Sequence, residues 1–252
     1  MRLVFHQLAA EQRMFWRSRE AAIFIFVFPL LLYSLLSSVY SHDITFHGKR
    51  YPSADVLLAG LFGYGAANTA FAGLAIILVG RRETGTLKRL RATPLPPATY
   101  LTAVILSTLV VFALQAVALL ALGGGLFGAS APDNAFGFVA SVVLGVACFA
   151  GMGLGAAALI RSSDGASAVV NVVLLPMAFL SGSFGPTRDY PDFLKAISDA
   201  LPLTYFLKVV NGVYLDGDSF FAKPGALAVI AGWGVAGIVI AFRRFSWMPR
   251  EA

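Results

Sequence analysis

Apolar residues run along this chain in long uninterrupted blocks, near 21–40, 56–79, 100–122, 136–160, 167–184 and 225–242. About 20 apolar residues carry a helix across a hydrocarbon core of about 30 Å, and these blocks approach or exceed that length. Polarity does not alternate within them, as the strands of a membrane barrel would require. The pattern predicts an all-α integral membrane protein with six transmembrane helices in one domain over 1–252. The last two blocks are short, and are rich in glycine or broken by proline. The first is too long for a cleaved leader, and no small-residue cleavage site follows it.

Two polar stretches carry helical patterns of their own. In 1–20, Leu3, Val4, Phe5, Leu8, Phe15 and Trp16 mix with Arg13, Arg17 and Arg19. That mixture predicts an N-terminal helix lying in the headgroup layer, with a basic unstructured tail as the alternative. In 185–224, Phe193, Leu194, Ile197, Leu201, Phe206, Leu207, Val209 and Val210 recur at helical spacing, cut by Pro202. This predicts two short amphipathic helices before the last span, either folded back into the outer leaflet or lying on it. The stretch 41–55 reads as a plain loop.

Composition sharpens the class. The chain is 58% apolar and 13% charged, against about 25% charge in soluble domains. Its net charge of +6 fits the basic excess of loops facing the cytoplasm better than nucleic-acid binding. Six spans put both termini on one side. Segments on that side hold 13 Lys and Arg with 5 acidic residues, and the opposite side holds 6 with 8. The expected location is therefore the cell membrane, with both termini and the 80–98 loop cytoplasmic and residues 185–224 external. Arg243, Arg244, Trp247 and Arg250 read as an interfacial anchor.

Catalytic chemistry is not written here. The lone cysteine, Cys148, lies in an apolar block and reads as a packing residue. His6, His42 and His47 have no accompanying thiols or carboxylates, so no metal site is expected. There is no G-x-x-x-x-G-K-[ST] loop; the only Gly-Lys pair is Gly48-Lys49, followed by Arg50. Nucleotide held by backbone amides and a lysine would have to sit on another chain.

The densest polar motif is R-R-E-T-G-T-L-K-R-L-R-A-T-P-L-P-P at 81–97. Glu83 to Leu87 offer a break and a threonine cap. Leu87 and Leu90 then share a helical face, with Lys88, Arg89 and Arg91 around them. Pro94, Pro96 and Pro97 stop the helix. A short helix with a small apolar face toward a partner is expected; a loop that only sets topology is the alternative.

The stretch from Gly80 to Tyr100 resembles the cytoplasmic signature of type-2 permeases of ABC exporters, the drug-resistance and polysaccharide-export class. The matching positions are Glu83, Gly85, Thr86, Leu87, Leu90, Thr93, Pro94 and Leu95. The resemblance implies a coupling helix that docks in a groove of an ATP-binding subunit, with Arg82 added to this partner-binding set. A second likeness runs through 176–191 and 192–214. There it implies a segment capping the pathway, with Pro186, Pro202, Leu203, Thr204 and Tyr205 as gate residues. ATP and Mg would be held by the partner, with no cofactor on this chain. A second permease subunit, identical or different, would complete the assembly within the lipid bilayer.

Within the spans, Asn68, Gln115 and Asn171 either tie helices together or line a substrate path. The six blocks hold no clear interior Asp, Glu, Lys or Arg. A proton relay would need one, so the cargo is expected to be amphipathic or apolar. Gly63, Gly65, Ala66 and Ala67, with Gly145, Gly151, Gly153 and Gly155, allow close helix contact within the chain or between subunits. The expected function is a non-catalytic permease subunit of an ATP-driven exporter, moving a drug, lipid or glycolipid out of the cytoplasm or inner leaflet. A non-transporting component of an ABC complex and a secondary transporter are the alternatives.

Overall fold

A computed structural model describes residues 2–40, 42–46, 49–188 and 190–248. His47, Gly48 and Arg250, which entered the readings above, lie outside them. Among the described residues, six helices are long and apolar enough to span a membrane. In chain order the helices are α1 (Arg2–Arg17), α2 (Arg19–Val39), α3 (Ser53–Glu83), α4 (Thr86–Arg91) and α5 (Pro97–Leu126). They continue with α6 (Ala135–Leu159), α7 (Ser163–Ser181), α8 (Asp192–Ser198), α9 (Pro202–Leu215) and α10 (Pro224–Arg244). The spans are α2, α3, α5, α6, α7 and α10. Hydrocarbon offers no partner for backbone N–H and C=O groups, so each apolar block closes its hydrogen bonds within a helix.

The spans extend past the apolar blocks. At about 1.5 Å per residue, the 31 residues of α3 exceed the hydrocarbon thickness. Asp55 therefore rides on one end of this helix, and Arg81, Arg82 and Glu83 on the other. The interior of the block stays free of charge, while its ends do not.

α3 is the hub. Its most apolar window is 83% buried, against 17% in α2 and α10. At mid-span, Ala67–Gly73 winds as a π-helix, a local widening often found at functional sites. A Cβ at Gly153 of α6 would lie 2.8 Å from the Ala70 carbonyl oxygen and 2.9 Å from that of Phe71. The glycine thus lets α6 lie directly on the π segment. Gly151 and Gly155 of α6 face the backbone of Gly234 and Gly237 in α10 in the same way. These glycines make close contacts inside the chain.

At the face opposite the termini, the stretch read as a loop contains a hairpin of β1 (Ile44–Phe46) and β2 (Lys49–Tyr51). Its register pairs Ile44 with Tyr51 and Thr45 with Arg50. Lys49 Nζ and the Tyr51 hydroxyl both donate to Asp216 Oδ1, at 2.9 and 2.5 Å. These bonds hold the Asp216 carboxyl below its ordinary value, and the same carboxylate raises Lys49. A depressed acid stabilises the folded contact above its unfolded pKa, and that stabilisation disappears as pH falls through the folded value. Protection of the Lys49–Tyr51 amides from hydrogen exchange is therefore expected to be level from about pH 5 to 9 and to drop below about pH 4. Asp216→Asn should abolish the drop; protection at pH 3 equal to that at pH 7 would refute the contact.

The 185–224 stretch folds as α8 and α9, followed by a 3-10 turn at Phe220–Ala222. α9 is almost wholly buried: Leu203 and Leu207 meet α3 at Gly63, and Phe206 lies against Gly145 of α6. None of the residues of α8 is buried.

Candidate functional site

The 81–97 segment is built at the end of α3 that lies near both chain ends. Tyr100 receives a hydrogen bond from Arg81 at 2.7 Å and packs against Trp247. Arg81 also pairs with Glu11 of α1 at 2.7 Å. One cluster therefore gathers α1, α3, α5 and the chain that follows α10.

The break after α3 falls at Gly85, whose φ of 69° is left-handed, a conformation glycine adopts without steric cost. Thr86 opens α4 without a side-chain cap. Thr84 instead donates back to the Gly80 carbonyl at 3.0 Å, because its hydroxyl points along the helix it ends. The expected threonine cap is absent. At the other end, Thr93 donates to Leu90 O at 2.6 Å, and the Leu95 amide donates back to Thr93 Oγ1 at 3.4 Å. Pro97 then opens α5 at a position where the missing N–H costs nothing.

Leu87 and Leu90 do share a face, but it turns inward. Leu87 is fully buried, and Leu90 and Leu95 pack partly buried on the core. The apolar face expected to meet a partner is thus consumed by the chain's own packing. The exposed positions are Glu83, Thr84, Lys88, Arg89, Arg91, Ala92, Thr93, Pro94, Pro96 and Pro97, with Gly85 and Thr86 half-buried among them. The charge that α4 itself shows outward is basic.

Arg82 is 1% exposed and faces into the protein. Its Nη1 donates to Ala157 O at 2.8 Å and its Nη2 to Ile160 O at 2.5 Å, with Arg161 O at 3.3 Å. A cation thus sits on the orphan carbonyls ending α6, where the helix dipole is negative. A direct contact between Arg82 and a partner is not available in this arrangement. Its neighbour Glu83 accepts the Ser163 amide at the start of α7, where the dipole is positive. Two adjacent, oppositely charged residues therefore hold the end of one span and the start of the next. Sequence reading missed this; the only signal was an Arg-Glu pair ending a long apolar run. It also missed Glu11, a buried acid in an amphipathic helix, spaced i,i+4 from Gln7, which donates to it at 3.0 Å.

The three amides do not converge. Gln115 Oε1 accepts from Thr69 at 3.1 Å, linking α5 to the π segment. Asn68, also buried, lies beside Thr69 in that segment. Asn171 is exposed on α7 and bonds its own helix at Ser167 O. The gate residues separate as well. Pro186 is exposed; Pro202 and Leu203 are buried in α9. Thr204 donates to Ser181 at 3.0 Å and lies 3.1 Å from Ser198 Oγ, clasping α7 to α8 and α9. Tyr205 donates to Asp199 O at 2.9 Å.

Six spans gathered round a buried central helix, with a basic helix braced at one end, define a multi-pass membrane protein. Residues 3–215 match the ABC-2 type transporter family, and the chain belongs to it. It is 29% identical over 179 residues to the Inner membrane transport permease YhhJ of Escherichia coli (strain K12), covering 68% of this chain and 48% of that protein. The same figures hold for YhhJ of Shigella flexneri. The chain thus spans about half the length of these curated relatives. It is also 24% identical over 212 residues to the Putative transport permease YvfS of Bacillus subtilis (strain 168), covering 82% of this chain and 83% of that protein.

Proposed function

We propose that this chain is the permease subunit of an ATP-driven exporter of an amphipathic or apolar substrate, a drug, lipid or glycolipid. It pairs with a separate ATP-binding subunit, which carries ATP and Mg, and with a second permease subunit. ABC-2 permeases normally work with such an ATP-binding partner, and this chain has no phosphate-binding loop of its own. The charge asymmetry of the loops supports a cytoplasmic location for α4 and both termini.

The observation that carries the reading is the double brace beside α4. Arg82 and Glu83 stand four and three residues before Thr86, and each bonds a different end of the α6–α7 turn. A partner gripping the basic face of α4 would move a lever already tied to two spans. Displacement of α4 would be passed through these bonds to α6 and α7 and would change access to the cavity between subunits. In this scheme Lys88, Arg89, Arg91, Thr93 and Pro94 contact the partner. Leu87, Leu90, Leu95, Gly85 and Thr86 shape the helix, while Arg82 and Glu83 transmit its motion. Pro202, Leu203, Thr204 and Tyr205 hold the opposite end closed.

The test is co-expression with a candidate ATP-binding subunit. Replacing Lys88, Arg89 and Arg91 together by Glu is expected to reduce co-purification at least tenfold. Glu83→Gln should preserve co-purification and lower substrate-stimulated ATP hydrolysis several-fold, because a neutral amide holds the positive helix end more weakly. If both variants bind the partner and hydrolyse ATP like the parent protein, neither docking at α4 nor transmission through Glu83 stands.

A further inference from the structure

A cavity of about 440 Å³ opens between α1, α2, α3 and α5, within a single subunit. That size falls in the range of about 300–1,000 Å³ typical of small-molecule sites. Its walls are graded. Ile25, Val111 and Leu74 make the deep part apolar; Glu11, Arg81 and Thr84 line the end near α4. Along α3 the wall runs from Thr69 to Arg81, roughly 18 Å at about 1.5 Å per residue. The rim residues Met14 and Ile77 are exposed, so the mouth opens sideways through apolar side chains.

α1 is pinned across this space. Gln12 donates to Ser107 O at 3.0 Å and to Ser107 Oγ at 2.9 Å, and Glu11 pairs with Arg81. The charged end has a preference. The Glu11 side chain is 3% exposed and that of Arg81 18%, so an incoming head group meets the guanidinium before the carboxylate. Arg81 uses Nη1 for Tyr100 and Nη2 for Glu11. A guanidinium has five N–H donors, so it retains donors for a phosphate. We propose that this cavity binds a membrane phospholipid, with one acyl chain along α3 and its phosphate at Arg81. The site lies inside one subunit, so the proposal does not depend on the export reading or on an ATP-binding partner.

The experiment uses the full chain in lipid nanodiscs doped with phosphatidylethanolamine bearing a diazirine in the middle of one acyl chain. After irradiation, peptide mapping is expected to find label on Val104, Ser107 or Val111. These residues are buried, and a lipid chain reaches them through the cavity. Gly80 lines the cavity, and a Cβ there would meet nothing within 4 Å. Gly80→Phe should therefore enter the space without a clash at Cβ and cut labelling at these three positions at least fivefold, with Gly80→Leu intermediate and the melting temperature unchanged. Label confined to outward-facing residues such as Val117 and Phe242 in the parent protein would overturn the proposal. So would equal labelling of the three positions in parent and well-folded Gly80→Phe.

Discussion

Arg82→Met is expected to lower the free energy of unfolding in detergent micelles by about 3–6 kcal/mol, from two charge-assisted hydrogen bonds worth about 1.5–3 kcal/mol each. Those bonds are the ones from Nη1 to Ala157 O and from Nη2 to Ile160 O. The carbonyls at the end of α6 have no helical partner of their own. Without the guanidinium they stay buried and unpaired where little water can reach, so methionine's good packing does not compensate. Lysine should recover only part of the loss. A compact ammonium on a flexible stem cannot span several carbonyls as a planar fork does. A titration of unfolded fraction against denaturant would read both variants; a loss below about 1 kcal/mol for Met would mean the cap stabilises little. Under the proposed mechanism the same variant also uncouples, since the turn between α6 and α7 is freed from α3.

Gly237→Ala is expected to cost about 2–3 kcal/mol, the upper part of the usual overpacking range. A Cβ at Gly237 would lie 2.4 Å from Gly151 O, 2.6 Å from its carbonyl carbon and 2.7 Å from Met152 Cα. All three are backbone atoms, so no rotamer change relieves the clash and α10 must move away from α6. Gly232→Ala on the same helix is the control, because nothing lies within 4 Å of a Cβ there. It gains up to about 1 kcal/mol of helix propensity, as any exposed glycine-to-alanine change does. The difference between the two variants isolates the helix crossing. Equal stabilities would mean that α6 and α10 do not cross this closely in the membrane.

Much of the architecture was legible along the chain because the bilayer imposes a length rule that few sequences satisfy by accident. Each of the six apolar blocks became a helix, and the errors were confined to the ends. There Ser53 and Asp55, and likewise Arg81 to Glu83, continue α3 into polar surroundings. The hairpin at 44–51 was missed, since three-residue strands leave too short a pattern to read.

The site was legible in position but not in orientation. Leu87 and Leu90 share a face, as their spacing requires, yet that face is buried and the basic one is outward. Spacing tells which residues lie together on a helix and not which side the rest of the chain covers. Arg82 was expected among the partner-binding residues of a basic loop. Its partners lie 75 and 78 residues away in sequence, and no local pattern announces them.

Six membrane-crossing helices, the asymmetry of charge across them and the lack of a nucleotide-binding loop in this sequence are readable from residue order, because hydrophobic length, charge and motif spacing are local properties. Folding in three dimensions makes α3 the buried hub, pairs Glu11 with Arg81, and sets Arg82 and Glu83 against consecutive helix ends. Those facts depend on which helices pack side by side. Close approach at residues without side chains sets that packing, as where Gly151 and Gly155 meet Gly234 and Gly237.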